Sequence, residues 1–482
     1  MIYDWKMALY WRLPVAVQEF ALSFYARHLE QLYYGPGYEA STEQFRRLQT
    51  LMAPQIAEWQ DERLRRIVQI AATRVPYYRE HWQGIDWRSD LSNSILSKLP
   101  RVGKQSLRQS ETQFISEDVP AKSLWAEKTS GTSGTALRIY WPKTMLPQWW
   151  ALVEVAIRNV AGVGQNVPRA MFGGRTVVHG SKTTPPYWRF NRRWRQLYMS
   201  SYHISNATVA DYVKALRCYG SEWITGYGSV IAALAQSALD LGISPVKMRA
   251  VIVSGDTLLP GMRCSIEKFF ECKCYDSYGQ CEAVCMAMEC PQGRLHTIPA
   301  AGIWEILRED GSPCRPGEVG EVVATGLMND AMPLIRYRVG DYAAWAEQQD
   351  CPCGNQSPIV TDLEGRTDDY LLTADGKKIG RLAAFKRSPS IHSAQIVQDR
   401  PGHAFLLLRP GQNYRSRDAD AVCADILEHV GKYEIEIVEV PEIPKTATGK
   451  NRLVVRLSDH PELRPAYQRL VKRLEDPVGR AA

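Results

Sequence analysis

A chain of 482 residues, 45% hydrophobic and 23% charged, has the make-up of a globular protein too long for one core, and about 150 residues per domain predicts roughly two to four domains. Its formal charge of +7 is spread along the sequence without Lys/Arg blocks or a basic–aromatic module, which argues against a nucleic-acid partner and suits an anionic small substrate equally well. Eleven cysteines, an odd number, and an N-terminus without a signal-peptide pattern argue against a secreted disulfide framework and point to a reducing, cytoplasmic compartment.

In chain order, the stretch from Met7 to Tyr25 carries Leu9, Leu13, Val15, Val17, Phe20, Leu22 and Phe24 but is interrupted by Arg12, Pro14, Gln18 and Glu19. It cannot supply the roughly 18 to 20 apolar residues of a membrane span. It reads either as a segment docked on the protein's own core or as one that makes a peripheral contact with a membrane or a partner. Ser41 through His81 reads as helical, with Phe45, Leu48, Leu51, Ile56 and Trp59 at three- and four-residue spacing, so residues 1–110 are expected to be a helical part of a large domain.

Between about 200 and 280 the rhythm changes. Glu222–Thr225 reads as a strand, Ser229–Leu241 as a helix capped by Ser229 and stopped at Gly242, and Ala250–Val253 as a short apolar strand. A helix over Pro260–Phe270, with proline in its first turn, leads to a strand at Lys273–Asp276. This alternation predicts an α/β parallel sheet, whose ligands sit beyond the carboxyl ends of its strands. After Gly293 come hairpin signals, with strands Ile303–Leu307 and Glu321–Ala324 around Asp310-Gly311 and Pro316-Gly317, which predict a β subdomain completing an α/β core over 111–364. A polar break at Glu364-Gly365-Arg366, then a helix over Ala419–Val430 and a strand over Ile435–Val440, place a small, mobile α+β domain at 365–482.

Five segments carry chemistry. Thr129-Ser130-Gly131-Thr132-Ser133-Gly134-Thr135 offers hydroxyls and glycine-flexible N–H groups to a polyphosphate. Alone, the same composition also suits a solvated linker. No Gly-Lys-Ser/Thr follows; Ala136–Trp141 reads as a strand instead, so the balancing cation must come from elsewhere. Tyr278-Gly279-Gln280-Cys281-Glu282, at a strand end, supplies an aromatic face and a carboxylate suited to Mg²⁺. Asp341, after the turn at Gly340, suits a pair of ribose hydroxyls, although a turn aspartate is commonly just exposed. Gly365-Arg366-Thr367-Asp368-Asp369 marks the domain break, and Pro444-Lys445-Thr446-Ala447-Thr448-Gly449-Lys450 is a basic loop able to carry a lysine into a distant site.

The ordered set resembles the adenylate-forming superfamily of acyl-CoA synthetases, adenylation domains and luciferases, and within it the phenylacetate–CoA ligase and CapK-like branch. The resemblance spans nearly the whole chain, including Val75-Pro76-Tyr77-Tyr78-Arg79, Leu99-Pro100-Arg101-Val102-Gly103-Lys104 and Ser201-Tyr202-His203-Ile204-Ser205. It implies a ligase that uses ATP and Mg²⁺ to convert a small carboxylic acid to an acyl-AMP with release of pyrophosphate, then passes the acyl group to coenzyme A. An amine, a sugar or a carrier protein is the alternative acceptor, and a nucleotide-binding scaffold without catalysis the remaining alternative. On this resemblance the loop 129–135 holds the ATP phosphates, Ser254-Gly255-Asp256 and Tyr278-Gly279 surround the adenine, Asp341 takes the ribose and Glu282 the Mg²⁺. Arg366 approaches the nucleotide, Asp368 is the hinge, and Lys450 contacts the acyl carboxylate and α-phosphate. Cys281 departs from the pattern, which has Thr or Ser there, and a thiol is the poorer donor to a phosphate oxygen.

Two further groups complete the expectations. Cys290, His296, Cys351 and Cys353 form a Cys₃His set suited to a structural, tetrahedral zinc, against the reading of unrelated buried thiols. His203, Thr225, Gly226 and Tyr227 fall near strand ends and are expected to line the acid pocket, with a satisfied structural histidine the equal alternative for His203.

Overall fold

The computed structural model describes residues 5–88, 92–128, 137–364, 370–379, 390–411, 413–430, 433–444 and 452–471. The described chain opens with α1 (Trp5–Arg12), α2 (Val15–Tyr33), α3 (Tyr38–Leu48), α4 (Ala53–Arg74) and α5 (Pro76–His81). The run expected over 41–81 is thus three helices. Pro54 and Pro76 each lie in the first turn of a new helix, where a missing N–H leaves no bond unmade.

After α6 (Lys104–Gln109) and the hairpin of β1 (Leu124–Lys128) and β2 (Arg138–Pro142), α7 (Met145–Val153) leads into the sheet. Its first part runs β3 (Arg169–Phe172), β4 (Trp188–Asn191), β5 (Gln196–Met199), α8 (Val209–Cys218), β6 (Trp223–Gly226), α9 (Gly228–Asp240), β7 (Ala250–Ser254), α10 (Pro260–Phe270) and β8 (Cys274–Gly279). Its second part is β9 (Met286–Glu289), β10 (Leu295–Thr297), β11 (Gly302–Leu307), β12 (Gly320–Gly326), β13 (Tyr337–Trp345) and β14 (Ile359–Glu364). All lie in one sheet ordered β11-β12-β13-β14-β10-β9-β8-β7-β6-β3-β5-β4. The pairs from β8 to β5 are parallel, while β8 meets β9 antiparallel, so the hairpin region is a continuation of the α/β sheet.

Both faces of the parallel strands are covered, which is why β7 reads as an unbroken apolar run. Successive side chains point to opposite faces. Ala250 and Ile252 join Trp223 and Tyr275 in the core built with α3, α4 and α7, whereas Val251 and Val253 join Ile224 and Cys274 against α8, α9 and α10.

The rest of the described chain is the hairpin β15 (Leu371–Leu372) and β16 (Lys378–Ile379), then β17 (Ile391–Arg400), β18 (His403–Pro410), α11 (Ser416–Val430), β19 (Glu434–Glu439), β20 (Val454–Arg456) and α12 (Arg464–Gln468). β17 to β20 form a separate sheet ordered β19-β18-β17-β20. One face of it, with Ile391, Ala394, Ile396, Leu406 and Leu408, extends the core around α9 and α10; the other packs Val397, Phe405 and Leu407 on Tyr467 of α12.

Candidate active site

Five loops meet at the carboxyl ends of neighbouring parallel strands: 278–282 after β8, 254–256 after β7, 226–227 after β6, 173–174 after β3 and 200–203 after β5. The chain leaves β3 for β5 on one side and reaches β6 on the other, so the last three loops flank a topological switch point, where sheets of this kind leave a crevice. Ser254, Gly255, Asp256, Tyr278, Gly279, Glu282, His203, Thr225, Gly226 and Tyr227 are therefore gathered on one edge of the sheet.

Local backbone demands explain several of these residues. Gly226 has φ 144°, and a Cβ there would stand 1.8 Å from the Phe172 carbonyl oxygen, so no other residue fits where β6 passes β3. Tyr227 N–H donates to that same oxygen at 3.0 Å. His203 stacks on Tyr187 with ring centroids 5.2 Å apart, its Nδ1 is hydrogen-bonded to Ser200 Oγ at 2.7 Å, and burial lowers its pKa so that the neutral ring is favoured. Ser201 Oγ and Tyr202 Oη donate to the carbonyls of Gly173 and Gly174 at 2.9 and 3.3 Å. The Gly173-Gly174 pair was not among the sequence-derived candidates; two glycines directly after an apolar strand are the signal that marks it.

Asp256 corrects an expectation about α9. Ser229 does not cap that helix: Tyr227 is the N-cap residue and makes no side-chain bond there. The cap is the Asp256 carboxylate, from the loop after β7, which accepts from Gly228 N at 2.8 Å, Ser229 N at 3.2 Å and Ser229 Oγ. An anion at a helix N-terminus is stabilised by its free N–H groups and dipole.

On the other side, two carboxylates are each gripped by a phenol. Tyr337 Oη donates to Glu282 Oε1 at 2.9 Å, with Tyr337 fully buried and Glu282 nearly so. Tyr278 Oη donates to Asp341 Oδ2 at 2.7 Å; burial and the Asp341 charge push the Tyr278 hydroxyl well above its ordinary range, so it stays protonated and donates. Asp341 itself lies within β13, after Gly340 at φ 86°. Beneath it, Val102 pairs with β13 through Val102 N to Arg336 O at 2.9 Å and Arg338 N to Val102 O at 2.8 Å. Tyr78 Oη donates to Pro333 O and accepts from Ile335 N, each at 3.0 Å. The 75–79 and 99–104 segments thus hold the Asp341 strand from behind. β1 ends at the same place: Cys281 Sγ lies 3.7 Å from the Lys128 carbonyl oxygen.

A second convergence lies on β9 and β10. The ligand atoms of Cys290, His296, Cys351 and Cys353 are all within 4.8 Å of one another. Cys290 Sγ and Cys351 Sγ are 3.7 Å apart and Cys353 Sγ and His296 Nε2 3.4 Å. Tetrahedral zinc, with Zn–S of about 2.3 Å and Zn–N of about 2.0 Å, requires edges of roughly 3.8 and 3.5 Å, so the four donors fit that ion. His296 Nδ1–H donates to Ser357 O at 3.0 Å, which turns Nε2 toward the sulfurs. Gly293 and Gly354, at φ 78° and 82°, turn the two knuckles.

Comparisons with known proteins bear on the chain as a whole. Residues 371–457 match the CapK C-terminal domain. Protein CapK of Staphylococcus aureus is 24% identical over 379 residues, covering 75% of this chain and 80% of that protein. Phenylacetate-coenzyme A ligase of Thermus thermophilus is 25% identical over 347 residues, covering 67% and 73%. The crystal structure of 2-hydroxyisobutyryl-CoA ligase in the postadenylation state superposes with TM-score 0.63 at 19% identity, over 88% of this chain and 94% of that one. By these likenesses the chain is similar to the CapK-like and phenylacetate–CoA ligase-like branch of the adenylate-forming superfamily. Of the residues which that superfamily implies, Thr129, Ser130, Gly131, Thr132, Ser133, Gly134, Thr135, Arg366, Asp368 and Lys450 lie outside the described residues.

Proposed function

We propose that this chain is an ATP-dependent acid–CoA ligase that works through an acyl-AMP. The observation that carries the reading is the pairing of Glu282 with Tyr337 and of Asp341 with Tyr278 on the rim of a crevice at strand carboxyl ends, because it fixes two carboxylates before any ligand arrives. In the first half-reaction a carboxylate oxygen of the acid attacks the α-phosphorus of ATP, the bond to the bridging oxygen breaks, and pyrophosphate leaves. In the second, the CoA thiolate attacks the acyl carbon and AMP leaves with the electron pair of the broken C–O bond.

Asp341 would accept hydrogen bonds from the ribose and Tyr278 would face the purine. Asp256, through the N-terminus of α9, would hold Tyr227 and Gly226 in position at the acid pocket beside His203 and Thr225. Glu282 would hold Mg²⁺, whose chemistry is to neutralise charge on the phosphate oxygens; one buried carboxylate together with substrate phosphates is a usual donor set for that ion. Lys450 would place its ammonium on the acyl carboxylate and α-phosphate, and the loop 129–135 would hold the phosphates, with Arg366 and Asp368 serving nucleotide contact and domain rotation. Zinc on Cys290, His296, Cys351 and Cys353 would brace β9 and β10 against the segment 351–357, and with four protein donors it would take no part in the reaction.

Acid-dependent ATP–pyrophosphate exchange over a panel of aryl, fatty and uronic acids tests the first half-reaction, and CoA thioester formation with the best acid tests the second. Exchange with at least one acid and a CoA product are expected. Metal-replete protein that exchanges with none of them would remove the ligase reading.

A further inference from the structure

Helix α2 is apolar on two opposite sides. Ala26, Leu29 and Tyr33 are buried, as a docked helix requires. On the reverse side Val17, Phe20 and Phe24, at i, i+3 and i+7, are exposed by 44%, 71% and 70%. A helix apolar all round is ordinarily covered all round, and a contiguous aromatic stripe on the surface marks a contact.

The orientation of this helix is fixed by polar bonds to β4, the edge strand, and the turn after it. Gln18 Oε1 accepts from Arg189 Nε at 2.6 Å, Glu19 Oε1 from Phe190 N at 2.9 Å and Ser23 Oγ from Arg192 N at 3.1 Å, while Glu30 pairs with Arg193. Both acids of α2 are thereby turned toward the sheet edge. The outward side carries no carboxylate: beside the apolar stripe it has Arg27, and along its flank the β4–β5 turn held by Ser23 and Glu30 presents the exposed Arg192 and Arg195.

We infer that this face of α2 is a docking surface for an anionic lipid bilayer. Phe20 and Phe24 would enter the acyl boundary while Arg27, Arg192 and Arg195 meet the headgroups, the arrangement of a helix lying in the interface. No helix among the described residues is long and apolar enough to cross a membrane. A second copy of the chain packed about a two-fold axis would set these arginines near their own images, which the charge disfavours.

The test uses the full chain, sedimented with vesicles of phosphatidylcholine alone and of phosphatidylcholine mixed with phosphatidylglycerol. Binding to the anionic vesicles should exceed binding to the neutral ones by about tenfold or more and should fall as salt is added. Phe20→Glu with Phe24→Glu should lower it by about tenfold or more, and Arg27→Gln, Arg192→Gln and Arg195→Gln together by a similar factor. These positions are exposed, so unchanged thermal unfolding certifies that the variants are folded. Equal binding to both vesicle types, binding to neither, or unchanged binding of the phenylalanine variant would overturn the inference. So would self-association in the absence of lipid that the same phenylalanine changes abolish, accompanied by no vesicle binding.

Discussion

The Cys/His cluster and the strand-end crevice both gather residues from distant parts of the chain, but on opposite terms. In the cluster, glycine-turned knuckles aim four donor atoms at one another within 4.8 Å, so the set is closed once an ion is held. In the crevice the described groups are each held by a different partner. Glu282 is held by Tyr337, Asp341 by Tyr278 and the N-terminus of α9 by Asp256, each holder coming from another segment. A closed donor set braces; side chains positioned from one side can act on something that arrives from the other. Damage to the first should therefore appear as lost stability, and damage to the second as lost rate.

The largest effect is expected where the cluster is opened. Replacing Cys351 and Cys353 together by serine should abolish near-stoichiometric zinc and lower thermal stability by several kcal/mol, read by metal analysis and calorimetry. Zinc retained by that double variant would remove the site. Next is Lys450→Ala, which should slow adenylation by about a hundredfold or more, roughly 2.7 kcal/mol, while leaving the unfolding midpoint in place. Pyrophosphate exchange at the original rate would deny Lys450 its part.

Tyr337→Phe sharpens the contrast, because it removes only the phenol that grips Glu282. A buried carboxylate that loses one donor should cost about 1–3 kcal/mol, and exchange should fall by about tenfold; a change in stability with none in rate would make Glu282 structural. The smallest effect is expected for Asp256→Ala, which should lower the exchange rate by a few-fold as the start of α9 loosens behind Tyr227, with about 1 kcal/mol in urea unfolding from the lost cap.

The sequence made the parallel sheet legible because local signals there agree. The apolar run of β7 is bounded by glycine and polar residues, and the helix expected over Pro260–Phe270 has those bounds. The breaks at Pro54 and Pro76 could have been taken from the proline rule, but the apolar spacing that continues across them masks it. What stays hidden is whatever depends on pairing across the fold. Tyr337 meets Glu282 at a separation of 55 residues and Tyr278 meets Asp341 at 63, and no periodicity reports either. Ser229 reads as a cap because serine often is one, whereas the acceptor that prevails comes from Asp256 in the loop after β7. The Cys₃His set was legible by residue type, yet only the folded distances of 3.7 and 3.4 Å distinguish it from scattered thiols.

The contact between Gly226 and the Phe172 carbonyl has a consequence for anyone who would retarget this protein. A backbone position that excludes even a methyl group cannot be diversified, so a mutant library aimed at the switch point should hold residue 226 constant and vary His203, Thr225 and Tyr227 around it. New selectivity would then have to come from exchanging side chains over an unchanged floor.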